Sequence, residues 1–188
     1  MNTKKKILMA LALVGCAVLL VAGSIAGTLA YLTAQTDPIT NTFTVGDIEI
    51  TLSETTTSYK IVPGTDISKD PKVTVLANSE ACYLFVKIVE TNNTFGGGNK
   101  FVTYTIADGW TELAAGTGVY YRAVDATNAD TAYAVLKDNK VVSNSAAGSA
   151  DLENAETNAP TLTFTAYAIQ QAGFTNVNAA WTASGFGG

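Results

Sequence analysis

The residue types that most often carry catalysis and hold transition metals are scarce in this sequence. It contains no histidine, so the usual general base, the usual zinc ligand and every serine–histidine or cysteine–histidine pair are missing. Cysteine occurs at two positions, Cys16 and Cys82. The sequence therefore predicts a protein that is not an enzyme and has no catalytic residues, no cofactor and no metal site.

Carboxylates are the remaining candidates for metal chemistry. Asp66 and Asp70 lie close to a predicted turn at Pro63 and Gly64, and carboxylate oxygens are the ligands that hard cations prefer. The other acidic residues are scattered through predicted loops and outward strand faces. We expect Asp66 and Asp70 to be solvated surface charges.

Four aromatic residues allow a second kind of site: Tyr104, Trp110, Tyr120 and Tyr121. Aromatic rings stack on sugars, so together these side chains could line a groove for a glycan. In β-proteins, however, such rings more commonly pack in the core or across neighbouring strands. A glycan groove therefore stands here as the alternative to ordinary packing.

The balance of charge excludes several partners. Without the three lysines near the N-terminus, the 11 basic residues fall to 8 against 16 acidic ones, a net charge of −8. A domain of this charge repels nucleic-acid phosphates and anionic lipids. We expect no nucleic-acid partner, and contact with a membrane only through an uncleaved signal segment.

The first thirty residues have the three parts of a secretory signal. Three lysines at residues 4–6 form a basic start, residues 7–22 are almost wholly apolar, and small residues accumulate up to Ala30. The pattern predicts a signal helix over residues 1–30 and cleavage between Ala30 and Tyr31. The mature protein is then secreted to the cell surface or the extracellular matrix.

Two alternatives to this cleavage remain open. Residues 7–32 carry no charge and are long enough to span a bilayer, which takes about 20 apolar residues, so the segment could remain as an anchor. Residues 13–16, Leu-Val-Gly-Cys, are similar to a lipobox, in which Cys16 is lipidated. With the signal removed, Cys82 is alone, and its apolar surroundings predict a buried, unreactive thiol.

Beyond the signal, polar and apolar residues alternate with a period of two, which is typical of strands. Ile48, Ile50 and Leu52 share one face of a strand over residues 42–52, in which Gly46 could form a bulge. Residues 81–90 are largely apolar on both faces, so we expect this strand at the centre of a sheet.

The rest of the chain adds shorter strands between turns. Residues 101–106 and 118–124 are expected to pair around Trp110. Residues 59–62 precede a strong turn signal at Pro63-Gly64. Further strands are expected at residues 72–76, at 132–136 and 141–142 as a hairpin about Asp138-Asn139, and at 161–169 with Leu162, Phe164, Ala166 and Ala168 on one face.

About eight short strands without a βαβ rhythm indicate a sandwich. We therefore predict an all-β fold, a jelly-roll-like antiparallel β-sandwich over residues 46–188. A helical turn is expected at residues 151–156 and a short C-terminal helix at residues 176–184, and the N-terminal signal helix precedes the whole domain.

Two segments near the N-terminus are distinctive: residues 27–33, Gly-Thr-Leu-Ala-Tyr-Leu-Thr, and residues 40–48, Thr-Asn-Thr-Phe-Thr-Val-Gly-Asp-Ile. On these residues, and more loosely on residues 62–73 and 163–170, the chain resembles the TasA/camelysin (CalY) family of Gram-positive surface proteins. Signals of that family are cut by a dedicated SipW-type signal peptidase, which the resemblance implies as a partner.

The resemblance implies a jelly-roll subunit of an extracellular biofilm-matrix fibre. In such fibres an N-terminal strand freed by signal cleavage completes the sheet of the neighbouring subunit. Residues 31–45 are the matching donor segment of this chain, and the donor strand itself is Tyr31, Leu32, Thr33, Ala34, Gln35 and Thr36. Donation from each subunit to the next is a heterologous contact, which grows as an open homo-oligomeric filament.

Two other functions are considered beside the filament subunit. A monomeric surface adhesin or glycan-binding module is the alternative that needs no assembly. The family has also been classed with metalloproteases, but this chain, with no histidine and one cysteine after cleavage, lacks the ordinary zinc ligands.

Overall fold

A computed structural model of the chain describes residues 46–186 and four residues near the N-terminus that are helical and exposed: Lys4, Lys5, Ile7 and Met9. The predicted cleavage site at Ala30 and Tyr31 and the donor strand, residues 31–36, lie outside the described residues. So does most of the predicted signal helix.

The chain divides into two compact units, Met1–Thr44 and Val45–Gly188, and every described strand belongs to the second. No helix among the described residues combines the length and the apolar character needed to cross a membrane.

The second unit is built from short strands, all of them paired antiparallel. In chain order they are β1 (Ile50–Ser53), β2 (Asp66–Ser68), β3 (Lys72–Val75), β4 (Cys82–Thr91), β5 (Thr94–Phe95), β6 (Asn99–Lys100), β7 (Val102–Thr103), β8 (Thr111–Glu112), β9 (Val119–Val124), β10 (Thr131–Ala134), β11 (Lys140–Ser143) and β12 (Thr161–Gln170). The predicted antiparallel all-β class is confirmed.

One layer is a four-stranded sheet in the order β12-β4-β9-β8. Strand β4 lies between β12 and β9, so the central position predicted from its two apolar faces is confirmed. Gly118, directly before β9, accepts a hydrogen bond from the Ile88 amide. A Cβ at Gly118 would lie 2.6 Å from the Ile88 carbonyl oxygen, so only glycine permits this pairing.

Facing this layer are two three-stranded sheets, β1-β3-β10 and β2-β11-β7. Two connections join these sheets, because β2 of one leads into β3 of the other and β10 leads back towards β11. The Val135 amide donates to the Pro71 carbonyl oxygen, and the Lys69 amide donates to the Asn139 carbonyl oxygen. These two bonds keep the two segments side by side between the sheets.

The core lies between the two layers and is assembled from alternate residues of both. Val73 and Val75 of β3 meet Leu84 and Val86 of β4, and all four are fully buried. From β12 the core receives Leu162, Phe164, Ala166 and Ala168, the face predicted from the period of two.

Two short helices complete the unit, α1 (Ser149–Thr157) and α2 (Val177–Ser184). The predicted C-terminal helix is α2: Asn176 caps its first turn by accepting from the Ala179 amide, and Gly185 ends it in the left-handed region. Its Trp181 ring packs on Phe85 and Tyr167, with centroids 4.9 Å and 5.8 Å apart. Helix α2 therefore covers the outer face of the four-stranded sheet.

Two pairings predicted from the sequence are wrong. Strand β7, within residues 101–106, pairs with β11 and not with β9, whose partners are β4 and β8. The Asp138-Asn139 turn exists, and both residues have positive φ, but β10 and β11 do not pair across it. The turn carries the chain from one three-stranded sheet into the next instead of folding it back.

Of the first predicted strand, residues 42–45 lie outside the described residues, residues 46–49 form no strand, and Gly46 lies before β1 with no bulge. The Ser79 hydroxyl oxygen accepts from the Glu49 amide, so a side chain replaces the regular ladder there and β1 begins only at Ile50. Residues 59–62, before the Pro63-Gly64 turn, form no strand, and the Tyr59 hydroxyl donates to the Glu54 carboxylate and to the Thr56 carbonyl oxygen.

Candidate functional site

The two candidate metal carboxylates are held by different partners. Asp66 pairs with the Lys140 ammonium at 2.8 Å. Asp70 accepts from the amide and hydroxyl of Thr55 at 3.0 Å and 2.7 Å, and the amide hydrogen bond lowers the pKa of this carboxyl group. In the described part of the chain no group of three acidic or cysteine side chains could hold a metal ion.

Three of the aromatic residues considered for a glycan groove pack into the domain. Trp110 is 9% exposed, and its indole Nε1 donates to the Ala134 carbonyl oxygen at 2.8 Å. Tyr104 and Tyr120 pack against the core, and burial and the Glu90 carboxylate raise the pKa of Tyr104. The ring of Tyr121 lies on the other face of β9, near Phe85. These rings are therefore occupied by packing.

Cys82 is fully buried in β4. Burial disfavours the thiolate and raises the pKa of the thiol to about 11. The expectation of a buried thiol is confirmed, and the raised pKa makes it a poor nucleophile at neutral pH.

Sequence reasoning missed an arginine that faces the interior. Arg122 lies opposite Leu84 in the ladder, and its guanidinium carbon is 3.9 Å from the Tyr133 ring centroid and 5.4 Å from that of Trp110. Burial lowers the pKa of Arg122. The period of two could have located it, because Tyr120 and Val124 lie on the same face of β9.

A buried lysine was missed as well. Lys69 is 7% exposed, and its Nζ lies 2.6 Å from the Glu54 carboxylate. The same atom stands 4.8 Å from the Tyr59 ring centroid and 5.2 Å from that of Phe164. The ion pair with Glu54 neutralises the charge of Lys69. It lies beside β12, whose unpaired edge is the most unusual surface of the described residues.

Strand β12 is ten residues long and lies at the edge of its sheet. Its sequence, Thr-Leu-Thr-Phe-Thr-Ala-Tyr-Ala-Ile-Gln, has no charge and no proline. Natural edge strands are usually short, or carry lysine, proline or a bulge that prevents pairing with another chain. Within the described residues β12 has none of these protections.

The hydrogen-bond register tells which backbone groups face the open side of β12. Gln171 donates to the Ala81 carbonyl oxygen, and hydrogen-bonded pairs alternate along an antiparallel ladder. The odd-numbered residues of β12 therefore bond to β4. The even-numbered ones point their amide and carbonyl groups outward, where no strand of the described chain pairs with them: Leu162, Phe164, Ala166, Ala168 and Gln170.

Strand β1 is the nearest element on this side, and its Cα atoms approach those of β12. It pairs with β3 and not with β12. Three of its four residues are exposed, Leu52 among them at 39%. The two strands therefore lie close to one another without a ladder of hydrogen bonds between them.

A cavity of about 670 Å³ lies beside the first residues of β12. Helix α1 contributes Leu152 and Ala155 to its wall, and the facing sheet contributes Ile67 and Val141. Leu162 of β12 borders it as well. The cavity is thus lined by the first residues of β12, by α1 and by residues of the facing sheet.

The open edge and the cavity together form the candidate site, because unpaired backbone groups at a sheet edge can pair with a further strand. The predicted donor residues 31–36 cannot be related to it, since they lie outside the described residues. Comparison with protein-family models, with curated proteins and with solved structures found no match.

Proposed function

We propose that this chain is a non-enzymatic structural subunit of an extracellular filament. After signal cleavage, the N-terminal segment of each subunit adds as a strand to the sheet of the next. The observation that carries this function is the open edge of β12, ten residues long and without charge or proline.

Strand addition fits this edge energetically. Five residues of β12 direct backbone amide and carbonyl groups outward, and each hydrogen bond they make contributes about 0.5–1.5 kcal/mol net. Residues 31–36 have no charged side chain, which matches the uncharged edge, and the only charge of the donor is the α-amino group of Tyr31 at its tip. Alternate side chains of the added strand then face the core, as in other cases of strand addition.

The finer architecture belongs to the same hypothesis. In a jelly-roll arrangement of the two antiparallel layers, the strand that the neighbour supplies pairs with β12 and takes the side on which β1 approaches it. A signal helix over residues 1–30 keeps the donor segment tethered to the membrane until a SipW-type peptidase cuts after Ala30. Polymerisation is thereby confined to the outside of the cell.

Removing the donor strand tests the function directly. The mature chain, residues 31–188, should form filaments visible by negative-stain electron microscopy. The chain without residues 31–36 should remain a folded monomer by circular dichroism and gel filtration. Normal filaments from the shortened chain would rule out strand donation.

The processing step has its own test. Mass spectrometry of the secreted protein should find Tyr31 at the N-terminus, because Ala30 supplies the small residue that a signal peptidase needs beside the cut. Uncleaved precursor should not polymerise. A mature chain that retains Lys4, or that carries a lipid on Cys16, would contradict the proposed cleavage.

A further inference from the structure

We infer that the cavity beside β12 is an anchoring pocket, and that its occupant is the Leu32 side chain of a second copy of this chain. The inference rests on the proposed function and adds the place and register of the donated strand. A strand binds an open edge through its backbone at any register, whereas a pocket selects one.

The position of the cavity relates it to the edge. Thr161 and Leu162, the first residues of β12, line it. The side chain of Leu162 points to the core, and its backbone groups point outward. A strand paired there places alternate side chains on the same face as Leu162. Those side chains then enter the space bounded by Ile67, Val141 and Leu152.

The chemistry of the cavity fits a leucine. Its apolar lining comes from Ile61, Ile67, Val102, Val141, Leu152 and Leu162. Its lining also includes two exposed charged residues, Lys60 and Glu156, while the buried Lys69 is already paired with Glu54. In residues 31–36, Leu32 and Ala34 share one face of a strand, so a donor that points Leu32 into the cavity points no charge inward.

The described part of the domain begins at the end of the sandwich away from the cavity, which favours a donor from a second copy. Asp47 and Glu49 bond to the amides of Glu80 and Leu76, beyond the end of β3 that lies away from Ile67. The chain's own residues 37–45 would have to run back along the sandwich to return Leu32 to the cavity. In a donor from outside, Asp37 and Pro38 end the strand where it leaves the edge.

Filling the cavity tests the pocket with a matched control. Ala155 borders it, whereas Ala150 is exposed on the same helix. Ala155→Trp should prevent filament growth, and Ala150→Trp should leave it unchanged. In a mixture, Ala155→Trp can still donate to the chain that lacks residues 31–36, so the two should form heterodimers although neither polymerises alone.

A second pair of variants tests the register. Burial of one leucine side chain changes an association constant by about tenfold to a hundredfold. Leu32→Asp should raise the critical concentration for growth by about tenfold or more. Thr33→Asp, which places the same charge on the opposite face, should raise it much less. Equal effects of the two would overturn the assignment of Leu32 to the pocket.

Cross-linking identifies the occupant even if the tryptophan variant fails to fold. A Leu32→Cys chain mixed with an Ala155→Cys chain should give a disulfide-linked dimer, while the buried Cys82 of the parent chain gives none. A chain with both cysteines that links only within itself would show that its own N-terminus fills the cavity, which overturns the inference.

The outcomes separate the two levels of the hypothesis. If the mature chain forms no filaments, the proposed function is wrong and the pocket with it. If filaments form, stop when residues 31–36 are removed, and yet grow normally from Ala155→Trp, then strand donation stands and the pocket is wrong.

Discussion

Glu90 is the second-last residue of β4, and its carboxylate connects three neighbouring side chains. Its carboxylate accepts hydrogen bonds from Lys100 Nζ at 2.7 Å, Asn93 Nδ2 at 2.8 Å and the Tyr104 hydroxyl at 3.0 Å. Burial alone would raise the pKa of Glu90, but these hydrogen bonds and the nearby charge of Lys100 outweigh it, so the pKa is lowered. The ionised form is therefore the one that stabilises the fold.

Glu90→Gln should lower the free energy of unfolding at pH 7 by about 1–3 kcal/mol, because hydrogen-bonded partners lose a charged acceptor. A lowered pKa in the folded state stabilises above the unfolded value, about 4.3, and this stabilisation is lost as the pH falls through the folded value. The difference between variant and parent should therefore shrink at low pH. Urea unfolding at pH 7 and pH 3 measures it.

Glu153→Gln is the control at an exposed position of α1. It should change stability by no more than about 0.5 kcal/mol at either pH. If Glu90→Gln were as stable as the parent at neutral pH, the three hydrogen bonds would contribute nothing to folding.

At the scale of elements, β12 pairs with β4 on one side and has an open edge on the other. Proline at an outward-facing residue removes an amide that bonds to nothing in the described chain, whereas proline at an inward-facing residue removes a ladder hydrogen bond. Ala166→Pro should therefore still fold but should stop filament growth. Electron microscopy and thermal unfolding of the same samples provide both measurements.

Thr165→Pro is the adjacent control. It removes the amide that bonds to Lys87 of β4, so the domain itself should lose stability. If the two variants unfold alike, the assignment of inward and outward backbone groups is wrong. If Ala166→Pro folds and still polymerises, the growing filament does not use this edge.

The elements that were predicted correctly are those whose own pattern decides their place. Residues 81–90 are apolar on both faces and form the central strand, and Leu162 to Ala168 alternate and face the core. The partners of β7 and β11 could not be predicted, because they are joined across 39 residues by contacts that a local pattern does not contain. The Asp138-Asn139 turn was recognised by its residue types, yet its direction depends on the sheets around it.

The candidate site was only partly accessible from the sequence for the same reason. The uncharged alternation of β12 was visible, but its position at an edge was not. The cavity is lined by residues from β2, β11, α1 and β12, which only the folded chain brings together. Lys69 was missed because it is buried against the Phe164 ring, which is distant in sequence, whereas the position of Arg122 on the inward face of β9 was accessible from the period of two.

At the scale of the whole molecule, charge opposes assembly while the donated strand favours it. Residues 31–188 carry 8 basic and 16 acidic residues, so two approaching subunits have a net charge of −8 each and repel one another. No side chain of the donor residues 31–36 or of the edge strand β12 is charged. Repulsion should therefore slow the encounter of two subunits without affecting the hydrogen bonds that follow it.

Salt should accordingly accelerate filament growth. Raising the ionic strength from about 0.01 M to about 0.15 M shortens the Debye length from about 30 Å to about 8 Å, which screens repulsion between surfaces but not backbone hydrogen bonding at the edge. Light scattering of freshly cleaved protein should record faster growth at the higher salt concentration. Dissociation of finished filaments on dilution should depend on salt much less. Slower growth in salt would mean that attraction between opposite charges drives assembly, and the uncharged edge of β12 would then not be the surface on which the filament is built.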